Sequence, residues 1–239
     1  MGLTKVGRTK YISGIRVLMY HSIDFGTSRI HDLYSLKWPV FADHLKLIQK
    51  EGFEFKKMSD DWQMDKKTVV VTFDDGYADN FEVANKLAKD HIPLTIFIVS
   101  DFIGLKNYLT TAQVKELASM PHVEIGCHGK THRPLTTLKR EEWMEEIKLS
   151  KSELEYVSGR AVTSMSFPHG KYTEEMVYYA HGLGFKRIAT SDSGINRDTD
   201  LVKIKRTAIF KYDYNWIMAQ KLLGLWDHLS PGSSEKVTA

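Results

Sequence analysis

An α/β fold built around a parallel sheet is what this sequence predicts, and three observations predict it. Short, β-branched apolar segments alternate with helical ones from one end of the chain to the other. No internal repeat or Pro/Gly/Ser-rich linker divides the chain, so a single domain over residues 1–239 is expected, with flexible ends at about 1–13 and 230–239. Polar clusters recur where the apolar segments stop, as in architectures whose functional groups gather at the carboxyl ends of parallel strands. The size agrees: 239 residues, 42% hydrophobic and 26% charged, suffice for one α/β unit with a sizeable core.

The strand-like segments, in order, are Ile15–Tyr20, Thr68–Phe73, Leu94–Val99, Val123–Ile125, Val162–Phe167 and Phe185–Ala189, with a weaker one over Leu201–Ile204. Between them, Pro39–Lys50 sets Phe41, Leu45 and Ile48 on one helical face and stops near Gly52. Asn80–Lys89 follows an acidic cluster. Leu138–Val157 aligns Trp143, Ile147, Leu154 and Val157, with Gly159 as its stop. Glu174–Leu183 begins after Thr173 with two acidic residues in its first turn, where the helix dipole favours them. Tyr214–Leu225 reads as a last helix.

Composition excludes several classes. A formal net charge of +3, spread without a dense Lys/Arg run, gives no reason to expect a nucleic-acid partner. No window has the ~18 uninterrupted apolar residues that a membrane span needs. The lone cysteine, Cys127, forbids an intrachain disulfide. Met1–Lys10 is basic but no apolar stretch follows it, so no secretory signal is predicted. A cytoplasmic location is therefore expected, or export where the sequence is part of a longer chain. Oligomeric state is left open.

Four strand ends carry chemistry. Val69 to Tyr77 ends a strongly apolar strand in Asp74-Asp75-Gly76. Adjacent carboxylates repel unless a cation or proton relieves them, and in extended chain they point to opposite sides, so they can take different roles. A solvated turn capping the next helix is the competing explanation. His128 and His132 are four apart after Cys127, a spacing at which both imidazoles reach one ion. Two histidines and a carboxylate form a metal set that leaves positions open for water and substrate. Ser166-Phe-Pro-His-Gly170 offers the backbone N–H of His169 to a developing oxyanion, or is an ordinary strand-to-helix turn. His21, just past the first strand, is placed to protonate a leaving group, or is a core histidine.

Thr72-Phe-Asp-Asp-Gly76, His128-x-x-x-His132 and Phe167-Pro-His-Gly170, in this order and spacing, resemble the polysaccharide deacetylase family, the NodB-homology group of carbohydrate esterase family 4. The likeness runs roughly from Arg16 to Arg206 and includes Tyr77-Ala-Asp-Asn80, Thr95-Ile-Phe-Ile98 and Val123-Glu-Ile-Gly126. It implies a distorted (β/α) barrel of about seven strands. It also implies a divalent metal, usually zinc, held by Asp75, His128 and His132, with Asp74 as general base. Leu18-Met-Tyr-His-Ser-Ile23 is similar to the circularly permuted branch that acts on poly-N-acetylglucosamine, which would make His21 the general acid.

The chain departs from the family pattern at stated places. Gly129 stands where Ser or Thr follows the first metal histidine. Ser166 stands at the position of the arginine that orients the base, and His169 at that of a tyrosine. Leu225-Trp-Asp-His228 is an imperfect match to a C-terminal Leu-x-His, leaving His228 as a second candidate acid. The expected reaction is removal of N-acetyl groups from an N-acetylated glycan. The rivals are deformylation or amide hydrolysis of a lipid-linked or small N-acyl substrate, and a catalytically decayed glycan-binding protein.

Overall fold

A computed structural model describes residues 14–26, 32–197 and 202–228; the expected flexible ends, and Leu201 of the weaker strand, lie outside them. The strands are β1 (Gly14–Tyr20), β2 (Ser22–Asp24), β3 (Ser35–Lys37), β4 (Glu54–Lys56), β5 (Lys67–Phe73), β6 (Leu94–Ile98), β7 (Val123–Cys127), β8 (Ser164–Ser166), β9 (Arg187–Ala189), β10 (Lys203–Ile204) and β11 (Thr207–Ala208). The helices are α1 (Trp38–Lys50), α2 (Asp79–Ala88), α3 (Thr111–Ser119), α4 (Arg140–Ser158), α5 (Glu174–Gly182) and α6 (Asn215–Leu222).

Among the described residues the main sheet follows the order β10-β9-β8-β7-β6-β5-β1-β11, eight strands where about seven were expected, and β4 branches from β5. All of these pairings are parallel. The end strands β10 and β11 are joined by Lys205 and Arg206 alone, so the chain itself bridges the gap between the two edges of the curved sheet. None of the described helices is long and apolar enough to cross a membrane.

Strand alternation divides the core in two. Ile15, Val17, Val70, Phe97, Ala189 and Ile204 meet inside the curved sheet, with Met58 and Trp62 inserted from the β4–β5 connection. The opposite faces, with Leu18, Tyr20, Val69, Val71 and Phe73, pack against the helices. The same alternation extends the inward face of β1 to His21, of β5 to Asp74 and of β7 to His128. The strands thus deliver the chemistry to one mouth, as the sequence led us to expect.

The sequence reading overlooked α3, β4, β11 and the pair β2–β3. Helix α3 had a legible start: Thr110 accepts the Gln113 N–H while the Gln113 side chain returns to the Thr110 N–H, a capping box. The overlooked strands span two or three residues each, too short to show a period.

Candidate active site

A cavity of ≈ 290 Å³ opens at the carboxyl ends of the strands. Its lining includes His21, Asp74, Asp75, His128, His132 and His169, so six of the seven candidates singled out from sequence converge there. His228 does not line it. It is exposed on the C-terminal turn, where the neighbouring Asp227 pairs with Arg16 at 2.6 Å.

Backbone geometry separates the paired aspartates. Asp74 continues the inward face of β5, and its N–H donates to Tyr20 C=O at 3.0 Å. Asp75 would point to the opposite face, but its φ of 74° turns it back into the mouth. His132 (φ 63°) and His169 (φ 57°) are also left-handed, a conformation costing about 1 kcal/mol or more for a residue with a Cβ. Three such residues in one mouth require surroundings that over-determine them.

Those surroundings are visible. Glu146 of α4 accepts the N–H groups of Lys130 (3.0 Å) and Thr131 (2.9 Å) and the Thr131 hydroxyl (2.6 Å), which clamps the loop between the two histidines. Gly129 is what this loop needs: at φ 76°, a Cβ there would lie 3.0 Å from the Pro168 ring. The His169 ring lies against His132 (centroids 4.5 Å apart), and its Nε2 is 3.1 Å from the His132 carbonyl.

Asp75, His128 and His132 offer ligand atoms that all lie within 4.8 Å of one another. Asp75 Oδ1 is 3.4 Å from His128 Nε2 and 3.1 Å from His132 Nε2. The other nitrogen of His128, Nδ1, is 2.9 Å from the Ser166 carbonyl. A carbonyl only accepts, so Nδ1 carries a proton, which leaves Nε2 as the nitrogen that would serve a metal, the arrangement of a metal-ligating imidazole. Burial works against the Asp75 carboxylate, but His128 and His132 outweigh it and hold the pKa far below the usual range. This donor set fits a divalent cation: one carboxylate oxygen and two imidazole nitrogens, with room for further ligands.

Asp74 is differently held. Ser166 stands where the family pattern has an arginine, and the structure brings a different arginine to Asp74. Arg206, from the two-residue bridge between β10 and β11, forms a bidentate pair with Asp74 (Nη1–Oδ1 2.7 Å, Nη2–Oδ2 2.8 Å). Its remaining donors reach the Thr190 carbonyl (2.9 Å), Thr72 Oγ1 (3.3 Å) and Ser166 Oγ (2.7 Å), and its guanidinium lies over the Phe97 ring. Five N–H donors therefore have five acceptors. Ser166 leaves the space that the guanidinium enters. Burial would raise the Asp74 pKa; Arg206, then His128, override it and keep the carboxylate ionised. Arg206 was missed because it lies far in sequence from the motif it completes.

His21 reaches the mouth from the end of β1, with its carbonyl fixed by the Asn80 side chain at 2.9 Å. Burial lowers its pKa, more strongly than Asp74 and Asp75 raise it. Tyr77, also lining the mouth, has its phenol pushed up by burial and by Asp75. Cys127 is a bystander: buried beside Ser150, its thiol is raised to about 11.

Comparison with known proteins agrees with this geometry. The profile of the family described as "Polysaccharide deacetylase" matches residues 61–188. The Bacillus subtilis protein YxkH, whose name places it with the polysaccharide deacetylases, is 29% identical over 213 residues, covering 84% of this chain and 74% of its own. Among solved structures, BC0361, a polysaccharide deacetylase from Bacillus cereus, superposes with a TM-score of 0.76 at 25% identity, covering 87% of this chain and 69% of that one. IcaB from Ammonifex degensii shares the fold, with a TM-score of 0.77 at 21% identity over 88% of this chain and 97% of that one. The chain belongs to the polysaccharide deacetylase family and is a hydrolase of that family.

Proposed function

We propose that the chain removes N-acetyl groups from a poly-N-acetylglucosamine-like glycan, with Asp75, His128 and His132 binding zinc and Asp74 as general base. One observation carries the division of roles. Asp75 faces two imidazoles in a ligand cluster, whereas Asp74, one residue away, is held by Arg206 at the edge of the same cavity. Zinc is favoured by the nitrogen and oxygen donors and by a three-ligand set that leaves positions open. The glycan class rests on the Leu18-Met-Tyr-His-Ser-Ile23 opening and on the placement of His21 in the mouth. The Streptococcus pyogenes deacetylase PplD, which shares the fold (TM-score 0.77), was solved with acetate, the acid this reaction releases.

A bound cation supplies Lewis-acid polarisation of the acetamide carbonyl and acidifies water in the site. Asp74, fixed by two hydrogen bonds from Arg206, accepts the proton that the attacking water loses. The backbone N–H of His169 donates to the oxygen on which negative charge develops; one such donor contributes ~3 kcal/mol. His21 gives a proton to the departing amine, which leaves poorly as an anion.

The test is acetate release from N-acetylglucosamine oligomers before and after chelation, and after zinc is restored. Release that chelator abolishes and zinc recovers is expected. Release indifferent to chelator contradicts the metal assignment, and a chain that binds the glycan yet frees no acid is the decayed enzyme.

A further inference from the structure

The half-buried His21 differs from the buried His44 and His128 in how its ring is held. His128 is tied through Nδ1 to the Ser166 carbonyl, and His44 contacts Tyr20 Oη with one nitrogen and the Asp213 carbonyl with the other. The Nδ1 of His21 is buried with no hydrogen-bond partner among the described residues. An imidazole that moves protons is ordinarily aimed by a hydrogen bond to its second nitrogen. Here something else must set the ring.

That something is a row of tilted aromatic contacts. The Tyr34 ring lies 4.4 Å from the His21 ring between centroids, inclined at 41°, and Phe210 lies 5.4 Å behind Tyr34. The backbone builds this contact. Strands β2 and β3 pair Ser22 with Ser35, so the residues immediately before them, His21 and Tyr34, emerge side by side. The Asp32 carboxylate accepts the Tyr34 N–H at 2.9 Å, and the Lys211 N–H donates to the Leu33 carbonyl at 2.8 Å, which binds the Phe210 segment to the Tyr34 turn. Behind Phe210, the buried Lys221–Asp213 pair anchors the same segment. Tyr34 also lines the cavity.

We propose that Tyr34, backed by Phe210, is the positioning residue for His21: its ring face fixes the imidazole orientation from which the leaving amine is protonated. This rests on the function proposed above, with His21 as acid. The experiment is a double-mutant cycle in the full chain, read as kcat for acetate release from N-acetylglucosamine oligomers. In the parent, Tyr34→Ala is expected to lower kcat about 30-fold, as misplacement of a catalytic group does. In a His21→Ala background the same change is expected to cost less than about threefold, because no imidazole remains to aim. Tyr34→Phe, which keeps the ring, is expected to recover most of the loss. Phe210→Leu is expected to give a smaller fall in the same direction. Unchanged zinc content and circular dichroism in each variant show that the fold is kept.

Equal losses from Tyr34→Ala in both backgrounds, or no loss in the parent, overturn the role while leaving the deacetylase reading intact. A parent chain that releases no acetate overturns that reading, and the role falls with it.

Discussion

Carboxylates at opposite ends of the same interior, Glu124 at one and Asp74 with Asp75 at the other, are held in opposite ways. At the amino ends of the strands, Glu124 accepts from the Ser164 and Thr95 hydroxyls and from the Ser59 N–H. Burial is its largest influence and its pKa is raised. At the carboxyl ends, Asp74 and Asp75 are more deeply enclosed than the half-buried Glu124, yet both pKa values are lowered, because a guanidinium and two imidazoles face them. Burial alone therefore does not mark the active end. The end with cationic and ligand-forming partners, and with three left-handed residues, is where the proposed chemistry is assigned.

Substitutions at the two ends break or sharpen this contrast. The largest effect is expected from His128→Ala, which removes a ligand from the cluster: both metal content and acetate release fall to background. Asp74→Asn is expected to lose about 10²- to 10⁴-fold in kcat, the range of general-base catalysis, while retaining metal; steady-state assays with elemental analysis separate the two outcomes.

Arg206→Met leaves the Asp74 carboxylate buried and unpaired, a change that costs about 3–5 kcal/mol and is read from urea unfolding midpoints. Its pH dependence has a definite sign. Asp74 has a lower pKa folded than unfolded, so the ion pair contributes its full stability above about pH 4, the unfolded aspartate value, and loses it as pH falls toward the folded value. Native protein should weaken on acidification through that window, and Arg206→Met should flatten this part of the curve.

The smallest effect is expected at Glu124. Its folded pKa is raised, so the folded state holds the extra proton and stability declines as pH rises through that interval. Glu124→Gln removes the ionisable group, so its stability should change by about 1 kcal/mol or less at neutral pH and shed that decline. Metal content and activity should not move. A large loss of activity from Glu124→Gln would erase the distinction between the ends.

Much of the site was legible because it is written in local runs. Asp74-Asp75, His128-x-x-x-His132 and Pro168-His169-Gly170 each follow an apolar strand, and strand alternation then dictates which side chains face inward. What escaped was non-local. Arg206 reaches Asp74 across 132 residues, Glu146 grips the histidine loop from a helix, and Tyr34 meets His21 through two three-residue strands. No periodicity announces such partners. The absence of arginine at position 166 was a clue that another cation had to pair with Asp74, and Arg206 sits at the edge of the recognised likeness.

The most direct test of the central claim, that neighbouring aspartates divide ligand and base between them, is zinc titration of Asp75→Asn and Asp74→Asn by calorimetry. The account predicts that Asp74→Asn binds one zinc much as the parent does, whereas Asp75→Asn binds it far more weakly. Equal binding by the two variants, or weaker binding by Asp74→Asn, would contradict it.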